Sequence, residues 1–300
     1  MNTPAQETTG ANNPVQVRQR QPIELDHAKS FLDIVLGVII SLPLPGLVRM
    51  TFNLVAVLYR RPLDQTALYH TMTPFLLTTS ALVMITFYWL EVRQSIDRQV
   101  SFNKKLATTE GTPGEGVHLG RSRLLGAILM ITTLAAILEF ARSYEFRPFL
   151  LASLLFWILD MLGDWQLRKS YDGYRETIDK IQTEITTPVP QPKRPILIWL
   201  GWIEAASQEQ LERRGEYQWF IDHLGTDFYS LYSGGYAILF AILLYLDCLL
   251  DYDNKGAARL EIYRLAAALF VLLMTLVGHL YIRVNVFENY VKRRLGASSG

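Results

Sequence analysis

Apolar and polar residues are sorted along this chain into long blocks. No Asp, Glu, Lys or Arg occurs in 65–90, 228–246 or 265–282, and shorter charge-free runs cover 34–48, 124–138 and 148–159. An α-helix that crosses a bilayer needs about 17–25 mostly apolar residues. The blocks predict six spans: Phe31 to Phe52, Pro74 to Leu90, Leu124 to Phe140, Pro148 to Gly163, Leu231 to Leu250 and Ile262 to Ile282. The third and fourth reach full length only by taking in an acid, Glu139 or Asp160. The predicted fold class is all-α: a polytopic membrane protein with six transmembrane helices as three antiparallel hairpins.

Sidedness follows from the basic residues between the blocks. Alternate connections (the N-terminal lead, 91–123, 164–230 and the tail after 282) together hold 21 Lys and Arg, and the other connections hold 6. Cytoplasmic loops are enriched in Lys and Arg, so both the N and C termini are expected to be cytoplasmic. The chain then divides into five parts. A disordered lead covers 1–25, and spans one to four lie in 26–163. A cytoplasmic helical linker covers 164–230, the last hairpin 231–285, and a basic cytoplasmic tail 286–300.

In each hairpin the second helix continues into charged sequence. Along the segment 164–184 and its next residue, Tyr174, Ile178, Ile181 and Ile185 recur at steps of four and three, the spacing of one helical face. Two readings stand side by side: solvated helical stubs, or a packed cytoplasmic bundle. The run TTPVPQPKRP over 186–195 must end that helix, because proline has no N–H to donate. The apolar stretch 196–206 behind it is too short to span. Its Trp199 and Trp202 suit a helix lying at the membrane interface.

Composition agrees with the pattern. Of 300 residues, 50% are hydrophobic and only 19% charged, below the roughly 25% charged that is usual in soluble domains. A net charge of +1 provides no basic field to gather nucleic acid, so no nucleic-acid partner is expected. The lone Cys248 excludes an intrachain disulfide and a cysteine-cluster metal site. No metal or cofactor is expected, and no phosphate-binding glycine loop or HExxH occurs. Localisation to a bacterial inner membrane or its equivalent follows from six apolar helices.

The first span carries Asp33 near its start and a helix break at Pro43, Pro45 and Gly46. Broken membrane helices free backbone carbonyls and often mark ion or substrate sites. The alternative is that the helix ends at Ser41 or Leu42 and 47–59 lies flat at the interface. Phe31-Leu32-Asp33, followed by Val35, Gly37, Ile40, Ser41 and Leu42, resembles the first helix of the lysosomal-type potassium channel family, with its Phe-Ser-Asp motif. Ala81 to Trp89 is similar to that family's second helix, an aliphatic run ending in Trp. Leu32 stands at the motif Ser, His27 at a basic position and Val92 at the His after the Trp. The resemblance implies a homo-oligomeric channel for a monovalent cation, lined by the first helix. Asp33 would sit at the cytoplasmic mouth, and Ile39, Ile40 or Leu42 would form an apolar constriction.

Other ionisable groups fall at membrane depth: Arg49, Glu139, Asp160, Asp247, Arg264 and His279. Charges there pair or line water. Asp247 and Arg264 flank one short turn, so an ion pair between the fifth and sixth spans is expected. Ser233, in Tyr-Ser-Gly-Gly-Tyr, and His279, in Gly-His-Leu, resemble the serine and histidine helices of rhomboid intramembrane proteases. That resemblance implies an intramembrane hydrolase with Ser233 as nucleophile. Two main functions therefore remain open: a passive cation channel, or a noncatalytic scaffold that binds cytoplasmic or membrane proteins through its helical extensions. Enzyme activity is the remote third.

Overall fold

A computed structural model describes residues 30, 33–59, 65–110, 121–186, 202–225, 228–252 and 257–278. Every element among them is helical. In chain order these are α1 (33–41), α2 (Leu44–Tyr59), α3 (Gln65–Glu110), α4 (Arg121–Arg142), α5 (Phe146–Tyr171), α6 (Arg175–Thr186), α7 (Trp202–Gly225), α8 (Phe228–Tyr252) and α9 (Ala257–Val277). A single 3-10 turn, Asp172–Tyr174, joins α5 to α6. Six segments are long and apolar enough to cross a membrane, with α1 and α2 together making the first. The lead 1–25 and the tail 286–300 lie outside the described residues.

The two prolines expected to open second helices behave differently. Pro148 falls in the first turn of α5, where its missing N–H would have no helical acceptor. Pro74 lies inside α3, which starts nine residues earlier at Gln65, so Pro74 leaves the carbonyl of His70 without its helical donor. The second hydrophobic run thus marked the apolar part of a helix whose polar first turns escape a hydropathy reading.

Polar contacts fix the directions of the helices. α5 and α8 pack closely along each other and run antiparallel, since Arg147 meets Asp247, Asp160 meets Ser233 and Asp164 meets Ser230. α4 packs on α5 across a three-residue turn. α9 packs more extensively against α3 than against α8, although only four residues join α8 to α9. Small residues account for part of this preference: Ala81, Ala267 and Ala268 are buried in the common core, and small side chains let membrane helices approach closely. Between Arg147 and Asp164, α5 climbs about 26 Å at 1.5 Å per residue, close to a bilayer's hydrocarbon thickness.

Two apolar cores result. The first fills the bundle between those levels, with Leu77, Met84, Phe149, Trp157 and Phe240 almost inaccessible. The second lies beyond Asp164, where the long extension of α3 meets α6 and α7 through Phe102, Leu106, Ile181, Ile185, Trp219 and Phe220. The amphipathic face Tyr174, Ile178, Ile181 and Ile185 belongs to this core. The extensions of α3 and α5 therefore form a packed bundle and are not solvated stubs, while the segment after 282 lies outside the described residues. Lys105 bridges to Glu184, and the Tyr171 hydroxyl donates to Asn103 at 2.6 Å, tying α5 and α6 to α3.

Candidate functional site

The first span has the barest surface of the six: only 11% of its most apolar window is buried, against 22–44% for the others. α2 packs substantially on α3 alone. The helix breaks where the prolines predict, with a turn at 42–43, and then resumes. Leu42 N still donates to Val38 O and Leu47 N to Pro43 O. Pro43 and Pro45, however, have no N–H for the carbonyls of Ile39 and Ser41, while the Ser41 hydroxyl turns back to Val38 O at 2.9 Å. The result is an interrupted helix: α1 ends at Ser41, as the second alternative expects, and α2 begins at Leu44.

The candidate lining residues separate by face. Ile34, Gly37, Val38, Ser41 and Leu42 are exposed, at the spacing of one helical stripe. Ile39 and Ile40 are half-buried against the core of their own chain, and Leu36 is fully buried there. Asp33 is also half-buried, and the Trp89 indole N–H donates to its Oδ1 at 2.8 Å. Arg93 stands over the same indole at 6.0 Å. The bond ties the start of α1 to the end of the apolar part of α3, and so joins the two segments that carry the channel resemblance.

Ser233 is 1% exposed, and its hydroxyl donates to Asp160 Oδ2 at 2.6 Å. One helical turn away, Ser230 donates to Asp164 Oδ2 at 2.6 Å. Asp164 also holds Arg168 at 2.8 Å and meets His223 Nε2 at 3.0 Å. The pair Asp160–Ser233 is thus one rung of a polar seam between α5 and α8, a structural setting for a serine that no described histidine reaches. His279 lies outside the described residues, as does Trp199. Trp202 begins α7.

The glycines around Ser233 carry unequal loads. A Cβ on Gly234 would sit 3.7 Å from Met161 Sδ, an ordinary contact, and one on Gly235 would meet open space. On Gly278 a Cβ would overlap the hydroxyls of Tyr236 and Tyr232. Tyr236 there donates to Met274 O at 2.5 Å and stacks on Trp157 at 4.5 Å between centroids. Tyr232 contacts both rings, so the three aromatics form one cluster inside the bundle.

At the opposite end Asp247 is fully buried and holds two arginines. Arg147 Nε is 2.6 Å from Oδ2, and Arg264 Nε is 2.9 Å from Oδ1. The expected pair across the α8–α9 turn is present, and Arg147 extends it to α5. Arg147 also reaches Asp251 at 2.6 Å. Beside it, Tyr144 is the one described non-glycine residue at positive φ, 59°. Its hydroxyl donates to Glu261. Burial first, and then that carboxylate, push its phenol well above the usual range.

Between α4 and α5 a cleft of about 530 Å³ opens outward, lined mainly by apolar side chains such as Leu129, Ala136, Phe140 and Leu151, with Thr132, Thr133 and Arg147 its polar residues. Among the described residues no His, Cys, Asp and Glu cluster could hold a metal ion. No model of a known protein family, no curated protein and no solved structure matches this chain.

Proposed function

We propose that this integral membrane protein works as a homo-oligomer through which a small monovalent cation passes passively, with the exposed face of α1 lining the route. On this reading it is a distant relative of the lysosomal-type potassium channels and resides in a bacterial inner membrane or its equivalent. The observation that carries the proposal is the break at Leu42 and Pro43 on the most exposed span. Carbonyls that lose their helical donors inside a bilayer need water, protein or a cation, and a water-filled route between copies supplies the first and last. The Asp33–Trp89 bond adds support by holding a carboxylate at the mouth where cations would enter.

On this reading the lining differs from the residues expected from sequence. Ile34, Val38 and Leu42 are free to face a shared axis, whereas Ile39 and Ile40 are engaged within the chain. A closed constriction of apolar side chains would gate by dewetting, with Leu42 nearest the break.

The scaffold reading draws on a different observation, the second apolar core built from α3, α6 and α7, which offers partners a folded surface outside the bilayer. Potassium-gradient-driven flux in vesicles carrying the purified protein separates the two. Flux above that of protein-free vesicles supports the channel, and flux equal to it leaves the scaffold.

A further inference from the structure

The two apolar cores meet at the level of Asp164, and the end of α7 brings a titratable group there. His223 lies in the last turn of α7, and its Nε2 stands 3.0 Å from Asp164 Oδ1 of α5. Both side chains are buried, at 9% and 8% exposure. The imidazole stacks on Trp219 of its own helix, 5.1 Å and 20° away, and lies 4.4 Å from the Tyr229 ring of α8. A carboxylate, a helix C-terminus and aromatic faces all attract an imidazolium more strongly than a neutral imidazole.

Ionisable groups reach this place from each neighbouring helix. α5 contributes Asp164 and Arg168, α8 contributes Tyr229, and α7 contributes Asp222, whose carboxylate accepts from Gln218 at 3.0 Å. Arg98 of α3 stands 4.1 Å over the Trp219 indole. His223 Nδ1 is buried and has no hydrogen-bond partner among the described residues, so no acceptor fixes a second proton on the ring.

Loss of that proton falls unequally on the two sides of the contact. Asp164 keeps Arg168 at 2.8 Å and the Ser230 hydroxyl at 2.6 Å whether or not His223 is charged, so the seam between α5 and α8 stays closed. α7 packs more extensively on α3 and α6 than on α5, and its place in the second core does not involve His223. What the charge controls is the grip of the end of α7 on the membrane bundle.

We propose that His223 is a pH-sensitive latch between the two cores. Charged, it holds the end of α7 against Asp164; neutral, it releases that end while both cores remain folded. Imidazole is the side chain that changes charge between about pH 5 and 8. The attraction is complete in mild acid and is lost as the pH rises through that range, with the proton passing to solvent. The latch reports the pH of the compartment that the second core faces, and it stands whether the protein conducts cations or binds partners.

The test is hydrogen exchange of the full chain in lipid nanodiscs, compared at about pH 6 and about pH 8 and corrected for the intrinsic pH dependence of exchange. In wild type, protection over residues 218–224 should fall about tenfold at the higher pH, the size of one charge-assisted contact, while the apolar parts of α5 and α8 keep theirs. His223→Gln should exchange at the faster rate at both pH values, and Asp164→Asn should lose the difference between them. His70→Gln, an exposed ring beside Tyr144 at the opposite end of the bundle, should behave as wild type. Equal protection at both pH values in wild type would overturn the proposal, a result that needs no variant to fold. A difference that survives His223→Gln would overturn it as well, because another group would then be titrating.

Discussion

Asp247 is the residue whose loss the bundle should feel most. Its carboxylate is fully buried and binds Arg147 of α5 and Arg264 of α9 at 2.6 and 2.9 Å, so it links three helices by charge-assisted bonds. Asp247→Asn keeps the volume, removes the charge and turns one acceptor into a donor facing a guanidinium. Breaking a buried pair by removing one partner costs about 3–5 kcal/mol. Here Arg147 is 38% and Arg264 20% exposed, and Arg147 keeps Asp251, so both can partly rehydrate. The discounted loss is about 2–3 kcal/mol. For a chain of this size that corresponds to a fall of about 4–8 °C in the thermal midpoint. The assay is intrinsic fluorescence unfolding in detergent, which the six tryptophans permit. Asp251→Asn, which removes one half-exposed contact, should cost at most about 1 kcal/mol. Equal, small shifts for the two variants would refute the three-helix clamp.

Other expectations concern packing and coupling. Gly278→Ala should destabilise by about 1–3 kcal/mol, because the new methyl meets the Tyr232 and Tyr236 hydroxyls, while Gly235→Ala, facing open space, should be neutral in the same melt. Asp33→Asn and Trp89→Phe should be non-additive, with a coupling of about 1 kcal/mol for a half-buried charged hydrogen bond, measurable by a double-mutant cycle. Phe102→Ala should cost about 3–5 kcal/mol locally. Hydrogen exchange should then quicken in α6 and α7 and stay unchanged in the apolar part of α3.

The spans were legible because each is built on a run without charges, and the Asp247–Arg264 pair because both residues flank one short turn. The face of α6 was legible because its apolar residues recur against a charged background. The rotation of α1 was not: 34–42 is apolar on every side, so periodicity could not tell the inward Ile39 and Ile40 from the outward Ile34 and Val38. Arg147 escaped notice as a clamp residue since its partners are about a hundred residues away in sequence. The pairing of α9 with α3 escaped for the same reason. Phe102 and Leu106, one turn apart on a charged extension, were the available signal for the second core, and their partners Trp219 and Phe220 lie beyond a proline-rich break.

The central claim is that cations cross along the exposed face of α1, and potassium flux into vesicles compares that face directly with a lipid-facing one. Wild type should exceed protein-free vesicles, Leu42→Asn should raise the flux further by wetting the constriction, and Leu151→Asn on α5 should leave it unchanged. Wild-type flux at the protein-free level, unaltered by Leu42→Asn, would contradict the account.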